Sequence, residues 1–486
     1  MAKKTTKKPD IINLDDTPDL TDFMLSAEAK TSDMFVEEFL DTFIKEYGIY
    51  VIQTRALPSI MDGLRVGARK IVYAANKNLK PNNPVKMTSL IGRVFDLNYH
   101  HGDASLQSTI EFLGSKHLFK YHPISVLGQI PSLRVSKVKT ASRYLKVTKS
   151  PYFFMYEYDT ELYEYKEEDG QLVEPEFLFP IVPMQLLQRT SSPGFGFAYF
   201  SFSYKLEDVI DNCITSIMNG TCNTLLNKQI LRPEIVGIKD ENLIYNESKE
   251  SWYNVGEYEI VDDNTLVVTE LPYNITNEKY EQLLNNYEEK FQIKSWVNKG
   301  KGGSMKYEIK FLGNQLKEQY KFKWKFYQKF ALFSKIRKTH LNQLDINGTT
   351  ILHFDNEHKL IDGFVMRRLN FYRKRKTQLI DKLENDIKIL DDKAKFLKLV
   401  LDEKLIINKR KIEDIRKDCD KFGVTYEGLK LSISKLTKEE FEKYLQEIED
   451  IKNYLEYVKN TTEKEMYIND LIELREKVFG INKQTK

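Results

Sequence analysis

Cysteine is scarce: three in 486 residues (Cys213, Cys222 and Cys419), none in a Cys-x-x-Cys or Cys/His spacing. That argues against a thiolate zinc site or a disulfide framework and fits a reducing, cytoplasmic compartment. No apolar run approaches the ~18 residues of a membrane span. The start, Met1-Ala-Lys-Lys-Thr-Thr6, has no apolar stretch behind it and does not read as a secretory signal. The Gly-x-x-x-x-Gly-Lys-[Ser/Thr] loop is missing, so no P-loop nucleotide site is expected. Charge of one sign is also lacking. With 74 basic against 71 acidic residues the chain carries only +3, so any polyanionic partner must be met by local patches.

What is present supports packed domains. Hydrophobic residues make up 41% and aromatics 12%, enough for real cores in about three domains at ~150 residues each. Basic patches stand at Lys3 to Lys8, at Arg65-Arg69-Lys70, and at Arg367-Arg368 with Arg373 to Lys376. Any one alone is as readily a solvated helix face.

Residues 1–32 run from lysine-rich to acidic without periodicity and read as a mobile arm. Phe35, Phe39, Phe43 and Tyr47 recur every four positions, which predicts a helix ending near Pro58. Helical pieces over Gly67–Asn76, Met87–Leu97 and Ser105–Leu113, then a strand pair within Ser125–Tyr144, give residues 33–155 a winged helix-turn-helix layout. Residues 156–350 mix strands (Leu266–Leu271, Met305–Phe311) with a helix over Glu278–Phe291, an α+β domain. In 351–480, Leu383, Ile387, Leu390, Ala394, Leu397 and Leu401 form a heptad seam. Tyr444, Ile448, Ile451, Leu455 and Val458 repeat it after an interruption around Gly423–Lys435. Two helices folding back on each other around a globular tip satisfy both seams, and 481–486 are a tail. The fold class is α+β multidomain, with an antiparallel coiled coil.

Two motifs carry chemistry. Tyr99-His100-His101-Gly102-Asp103 is followed by Ala141-Ser142-Arg143-Tyr144. A tyrosine beside an arginine can attack a phosphodiester while the guanidinium grips the phosphate. A phenol titrates near pH ~10, so it must lose its proton as it attacks.

Further segments keep a recognisable order: Tyr47–Pro58, Asp62–Tyr73, Pro183–Leu187 running into Ser191–Gly196, Thr269–Tyr273 and Leu429–Thr437. With the two motifs they resemble type IIA DNA topoisomerases, specifically the breakage–reunion subunit, over Tyr47 to Phe479. The resemblance is greatest to the subunit that some large phages encode separately, which would act in the host cytoplasm. It implies a winged-helix DNA gate, an α+β tower, and a coiled coil whose tip dimerises. Tyr144 would be the nucleophile forming a 5′-phosphotyrosine link, and Arg143 would stabilise charge on the phosphate. His101 would bind a phosphate oxygen or orient the nucleophile; His100 is either a DNA contact or structural. Arg55, Arg65, Arg69 and Lys70 match positions that hold the DNA backbone. Phe195 stands where the family inserts an isoleucine between base pairs, although alternation with Phe197, Tyr199 and Phe202 also suits a buried strand face.

The chain departs from the pattern in places. Ala68 replaces a basic residue of gyrase-like members, and Ile130–Val135 replaces a glycine-rich turn. Ala104 and Ser108 predict weak quinolone sensitivity. The family's ATPase motifs and its Glu-Gly-Asp and Asp-x-Asp metal ligands are not found, so ATP and Mg²⁺ are expected on a partner subunit. The expected assembly is a homodimer on double-stranded DNA, joined by that ATPase and metal-binding subunit. Without a DNA-wrapping domain it is expected to relax and decatenate DNA. Two alternatives remain: a non-catalytic DNA-binding or architectural protein of the same layout, and a tyrosine recombinase or type IB enzyme, which links to the 3′-phosphate without metal.

Overall fold

The computed structural model describes residues 35–194, 196–222, 231–300, 305–337, 339–430 and 436–484. The arm expected over 1–32 and the candidate wedge Phe195 lie outside them. The chain divides into two units, 1–51 and 52–486. In the first, the expected helix runs as Val36–Phe39, a π turn Leu40–Ile44, and Lys45–Val51. Its four-residue apolar spacing shows as a contact between the Phe39 and Phe43 rings, centroids 5.8 Å apart.

The second unit opens on a π turn, Ile52–Ala56, and then three helices: α1 (Val66–Asn78), α2 (Met87–Phe95) and α3 (Asp103–Leu113). Leu106, Ile110 and Leu113 recur at helical spacing and bury one face of α3. They share a core with Leu90, Val94 and Ile71. Strands β1 (Val85–Lys86), β2 (Ile124–Leu127) and β3 (Lys146–Lys149) form an antiparallel sheet in the order β1-β3-β2. Val147 pairs with both Val85 and Val126. Three helices closed by this small sheet make a winged helix. The wing differs from the sequence expectation, because the second strand starts at Lys146 and Tyr144 precedes it in a single 3₁₀ turn, Ser142–Tyr144. The reason lies in Arg134, which ties the intervening loop to the segment Leu271–Asn277.

Gly63 fixes the turn into α1. Its φ is +67°, and a Cβ there would lie 2.7 Å from the Gln185 backbone nitrogen. Gln188 Nε2 donates to the Gly63 carbonyl at 2.9 Å. Gln185 Nε2 donates to the Ile60 carbonyl at 3.1 Å, so the Pro183–Leu187 motif and the Gln188 that follows it brace the Asp62-Gly63 turn. A hairpin, β4 (Tyr165–Glu168) and β5 (Gln171–Pro175), packs beside α1.

Beyond that hairpin, the described residues of the α+β region form three further sheets. Strands β6 (Thr190–Ser192) and β7 (Tyr199–Ser201) join β15 (His340–Leu344) and β16 (Ile351–Phe354) in the order β16-β15-β7-β6. A second sheet runs β14-β9-β8, from Phe333–Lys335, Ser251–Val255 and Leu243–Asn246. The third runs β10-β11-β13-β12, from Tyr258–Asp262, Thr265–Val268, Tyr307–Lys310 and Ser295–Asn298. It has its own core, in which Leu266, Val268, Tyr307 and Ile309 meet Tyr280 and Leu284. The last two come from a helix, Asn277–Glu289. Helix Leu206–Asn219 belongs to the larger core.

The last third is dominated by one 45-residue helix, Glu357–Leu401, about 68 Å long at ~1.5 Å per residue. Helix Lys438–Asn460 runs back along it. Ala394 and Leu397 pack with Tyr444 and Ile448, while Lys459 reaches Glu384 at 2.8 Å, which sets the antiparallel sense. Helix Ile412–Phe422 builds the tip, where Ile415, Cys419 and Val424 cover Phe396 and Leu405. Helix Glu463–Gln484 returns to the base, stacking Tyr467 on Tyr372 at 4.6 Å and donating from the Tyr467 hydroxyl to the Ile181 carbonyl. The Arg367–Lys376 cluster is largely structural: Arg367 pairs with Asp345 at 2.6 Å, Arg368 with Asp159, and Arg375 with Asp470 and Asp159. Among the described residues no helix is long and apolar enough to cross a membrane.

Candidate active site

Tyr144 is held at its ends and open at its side chain. The Met87 N–H donates to the Leu145 carbonyl at 2.9 Å, and Leu145 is fully buried, so the 3₁₀ turn is pinned to the start of α2. The Tyr144 ring is 69% exposed, the most exposed tyrosine among the described residues. The Arg143 guanidinium lies over it, 4.9 Å from the ring centroid. Such a pairing favours the cation over the π face and sets guanidinium and phenol side by side.

Helix α3 ties this turn to the histidine motif. Gln107 Nε2 donates to the Thr140 carbonyl at 2.7 Å, two residues before the turn begins. At the first turn of α3, Tyr99 donates to Ser105 Oγ at 3.1 Å and meets the His101 ring edge-on at 5.2 Å. Arg55 Nη2 stands 3.3 Å from His101 Nδ1. Since a guanidinium only donates, Nδ1 is the acceptor and the ring proton sits on Nε2. Desolvation first, then the Arg55 and His100 charges, hold His101 below its ordinary pKa. The imidazole is a neutral Nε2–H donor at neutral pH. His100 is exposed.

Arg65 closes the N-terminal end of α1 and is half-buried; desolvation lowers its pKa. It lines an open groove of about 680 Å³ with Ser108, Thr109 and Ser191, and with two arginines the sequence reading passed over, Arg189 and Arg337. Arg189 lies over the Tyr273 ring at 5.2 Å and Arg337 over Phe200 at 5.1 Å. Burial lowers the Arg189 pKa too. Three cations, hydroxyl donors and aromatic walls suit an extended phosphate backbone.

Two expected DNA contacts are corrected. Arg69 is buried, with Nε donating to Asp62 Oδ2 at 2.6 Å and Nη2 to Asp62 Oδ1 at 3.1 Å. Asp62 also accepts from the Leu64 and Leu178 N–H groups, at 2.9 and 3.0 Å. Lys70 is buried as well, 2.7 Å from Glu174 and donating to the Leu97 carbonyl at 2.6 Å. Both cations face inward because unpaired carboxylates in a core are costly and these neutralise them. Arg69, which also donates to the Leu64 carbonyl at 3.2 Å, shapes the turn that presents Arg65.

The loop that departs from the family pattern is anchored by Arg134. Its guanidinium donates to the carbonyls of Leu271 at 2.6 Å, Pro272 at 2.9 Å and Ile275 at 3.1 Å. The Asn277 N–H returns a bond to the Arg134 carbonyl at 2.8 Å. Thus the Thr269–Tyr273 motif receives the loop leading to Tyr144. Among the described residues no group of three or more His, Cys, Asp or Glu side chains converges to hold a metal ion.

Comparison with known proteins gives a consistent answer. The family model for the A subunits of DNA gyrase and topoisomerase IV matches residues 55–475. DNA topoisomerase 2 of Plasmodium falciparum is 27% identical over 94% of this chain, which spans 36% of that relative's length. The DNA topoisomerase medium subunit of enterobacteria phage T4 is 23% identical, over 90% of this chain and 98% of its own. The crystal structure of the Plasmodium falciparum topoisomerase II DNA-binding, cleavage and re-ligation domain superposes with a TM-score of 0.80 at 25% identity, covering 92% of this chain and 65% of that one. A winged helix carrying an open Arg-Tyr pair, an α+β tower and a long antiparallel coiled coil agree with that match, and the chain belongs to the family of DNA gyrase and topoisomerase IV A subunits.

Proposed function

We propose that this chain is the DNA-cleavage and religation subunit of an ATP-dependent type II topoisomerase, with Tyr144 as nucleophile. The observation that carries the reading is the open Arg143–Tyr144 pair on a rigidly pinned turn. Duplex DNA lies along the groove of Arg65, Arg189 and Arg337. The Tyr144 phenol oxygen attacks phosphorus, its proton leaves to solvent or a base, and the bond to the 3′-oxygen breaks. The product is a 5′-phosphotyrosine and a free 3′-hydroxyl. Religation reverses these steps without ATP, since the ester conserves the energy of the strand. Arg143 follows the growing charge on the non-bridging oxygens, and neutral His101 donates Nε2–H to a phosphate oxygen, with Arg55 fixing its tautomer.

Two copies cut opposite strands, so the active species is a homodimer within a larger assembly. The phage relative's name, a medium subunit, supports a separate partner that brings ATP hydrolysis and Mg²⁺. The assembly relaxes and decatenates DNA by passing a second duplex through the break.

The test is denaturant-trapped cleavage of supercoiled plasmid with Mg²⁺ and the partner subunit, comparing wild type with Tyr144→Phe. Protein linked to 5′ ends of a staggered double-strand break, absent in the variant, is the expected result. Intact DNA despite tight binding by the wild type would leave a non-catalytic DNA-binding protein; a 3′ link formed without metal would indicate type IB chemistry.

A further inference from the structure

The β14-β9-β8 sheet turns one face to solvent. Its register sets Ile244, Tyr253 and Lys335 in one cross-strand row and Val255 and Phe333 in the next. The Tyr253 and Phe333 rings stack at 5.0 Å, 23° from parallel. Trp324, from the helix Lys323–Lys329, meets Phe333 edge-on at 4.6 Å. With Lys249 and Lys335 they line an open groove of about 470 Å³. An aromatic cluster usually serves a core, yet Trp324 is 55% exposed. Its neighbours Lys323 and Lys325 are exposed too, and on the far side of the groove desolvation first, then the charges of Glu250 and Glu247, raise the Tyr245 pKa.

We propose that this groove binds single-stranded nucleic acid, with bases stacking on Trp324 and Tyr253 and phosphates following Lys249 and Lys335. Exposed π faces flanked by cations match unstacked bases on a polyanionic backbone. A duplex offers no free base face in its interior, so it gains only the lysine contacts. The groove is distinct from the one lined by Arg65, and the proposed cleavage reaction does not require it.

The experiment measures fluorescence anisotropy of labelled oligo(dT) with the full chain, its Arg65 groove saturated by unlabelled duplex. Binding that survives the duplex is expected, weakened roughly tenfold by Trp324→Ala and clearly by Lys335→Glu. Both variants should keep wild-type melting temperature and plasmid cleavage, which separates this proposal from the function proposed above. The absence of duplex-resistant binding, or wild-type affinity in both variants, overturns it. So does a Trp324 fluorescence response to a proline-rich peptide without any to oligo(dT).

Discussion

His101 is held neutral by burial and by the Arg55 charge on its Nδ1 side. Both disfavour the imidazolium, so its pKa lies below the ordinary value, and the ring protonates only as the pH falls further than usual. Removing a like charge favours the charged form. Arg55→Ala is therefore expected to raise the His101 pKa towards its ordinary value, read by NMR titration; an unchanged or lower pKa would contradict the pairing. The inward-facing Arg69 behaves differently. Asp62→Ala leaves a buried guanidinium uncompensated and two backbone donors unpaired, costing about 3–5 kcal/mol in denaturant unfolding. Arg69→Ala should likewise lower stability while the folded fraction keeps its DNA affinity. A variant that melts like wild type but binds DNA weakly would restore Arg69 as a DNA contact.

Elements were legible where one periodicity governs them. The spacing of Leu106, Ile110 and Leu113 fixes α3, and the heptads of Leu383 to Leu401 lie in the long helix that packs against its antiparallel partner. The wing was not legible in its details, because its loop spends backbone and side-chain bonds on residues over 130 positions away. Arg69 and Lys70 look like Arg55 in the sequence. Only the approach of Asp62 and Glu174 separates buried cation from exposed one. Arg189 was missed for the opposite reason: it belongs to no motif, and its groove exists only when β6 lies beside α3. The Arg134 clamp gives an element-scale prediction. Three carbonyls lose a charged donor in Arg134→Ala, which should cost about 2 kcal/mol or more and loosen the segment before Tyr144. Hydrogen exchange over 128–141 should rise and trapped cleavage should fall, with the winged-helix core still protected. Unchanged exchange would show that the loop does not depend on the clamp.

At the scale of the whole molecule, a charge of +3 is too small to drive binding to DNA by itself, so position must matter more than total. Counterion release counts only the phosphates that are neutralised, with a slope of about −0.9 in log K against log salt for each. Arg189 and Arg337 line the proposed duplex groove, whereas Lys388 and Lys395 are exposed on the long helix of the coiled coil. Replacing either pair by alanine changes the net charge equally. The groove pair, Arg189→Ala with Arg337→Ala, should make the salt slope of duplex binding shallower by about 2. The coiled-coil pair should leave it unchanged. Equal effects from both pairs would mean that the chain senses DNA through its overall field, and the groove would lose its claim to the duplex. A shallower slope for the groove pair alone, with trapped cleavage reduced in proportion to binding, would join the arginines missed in the sequence to the tyrosine read from it.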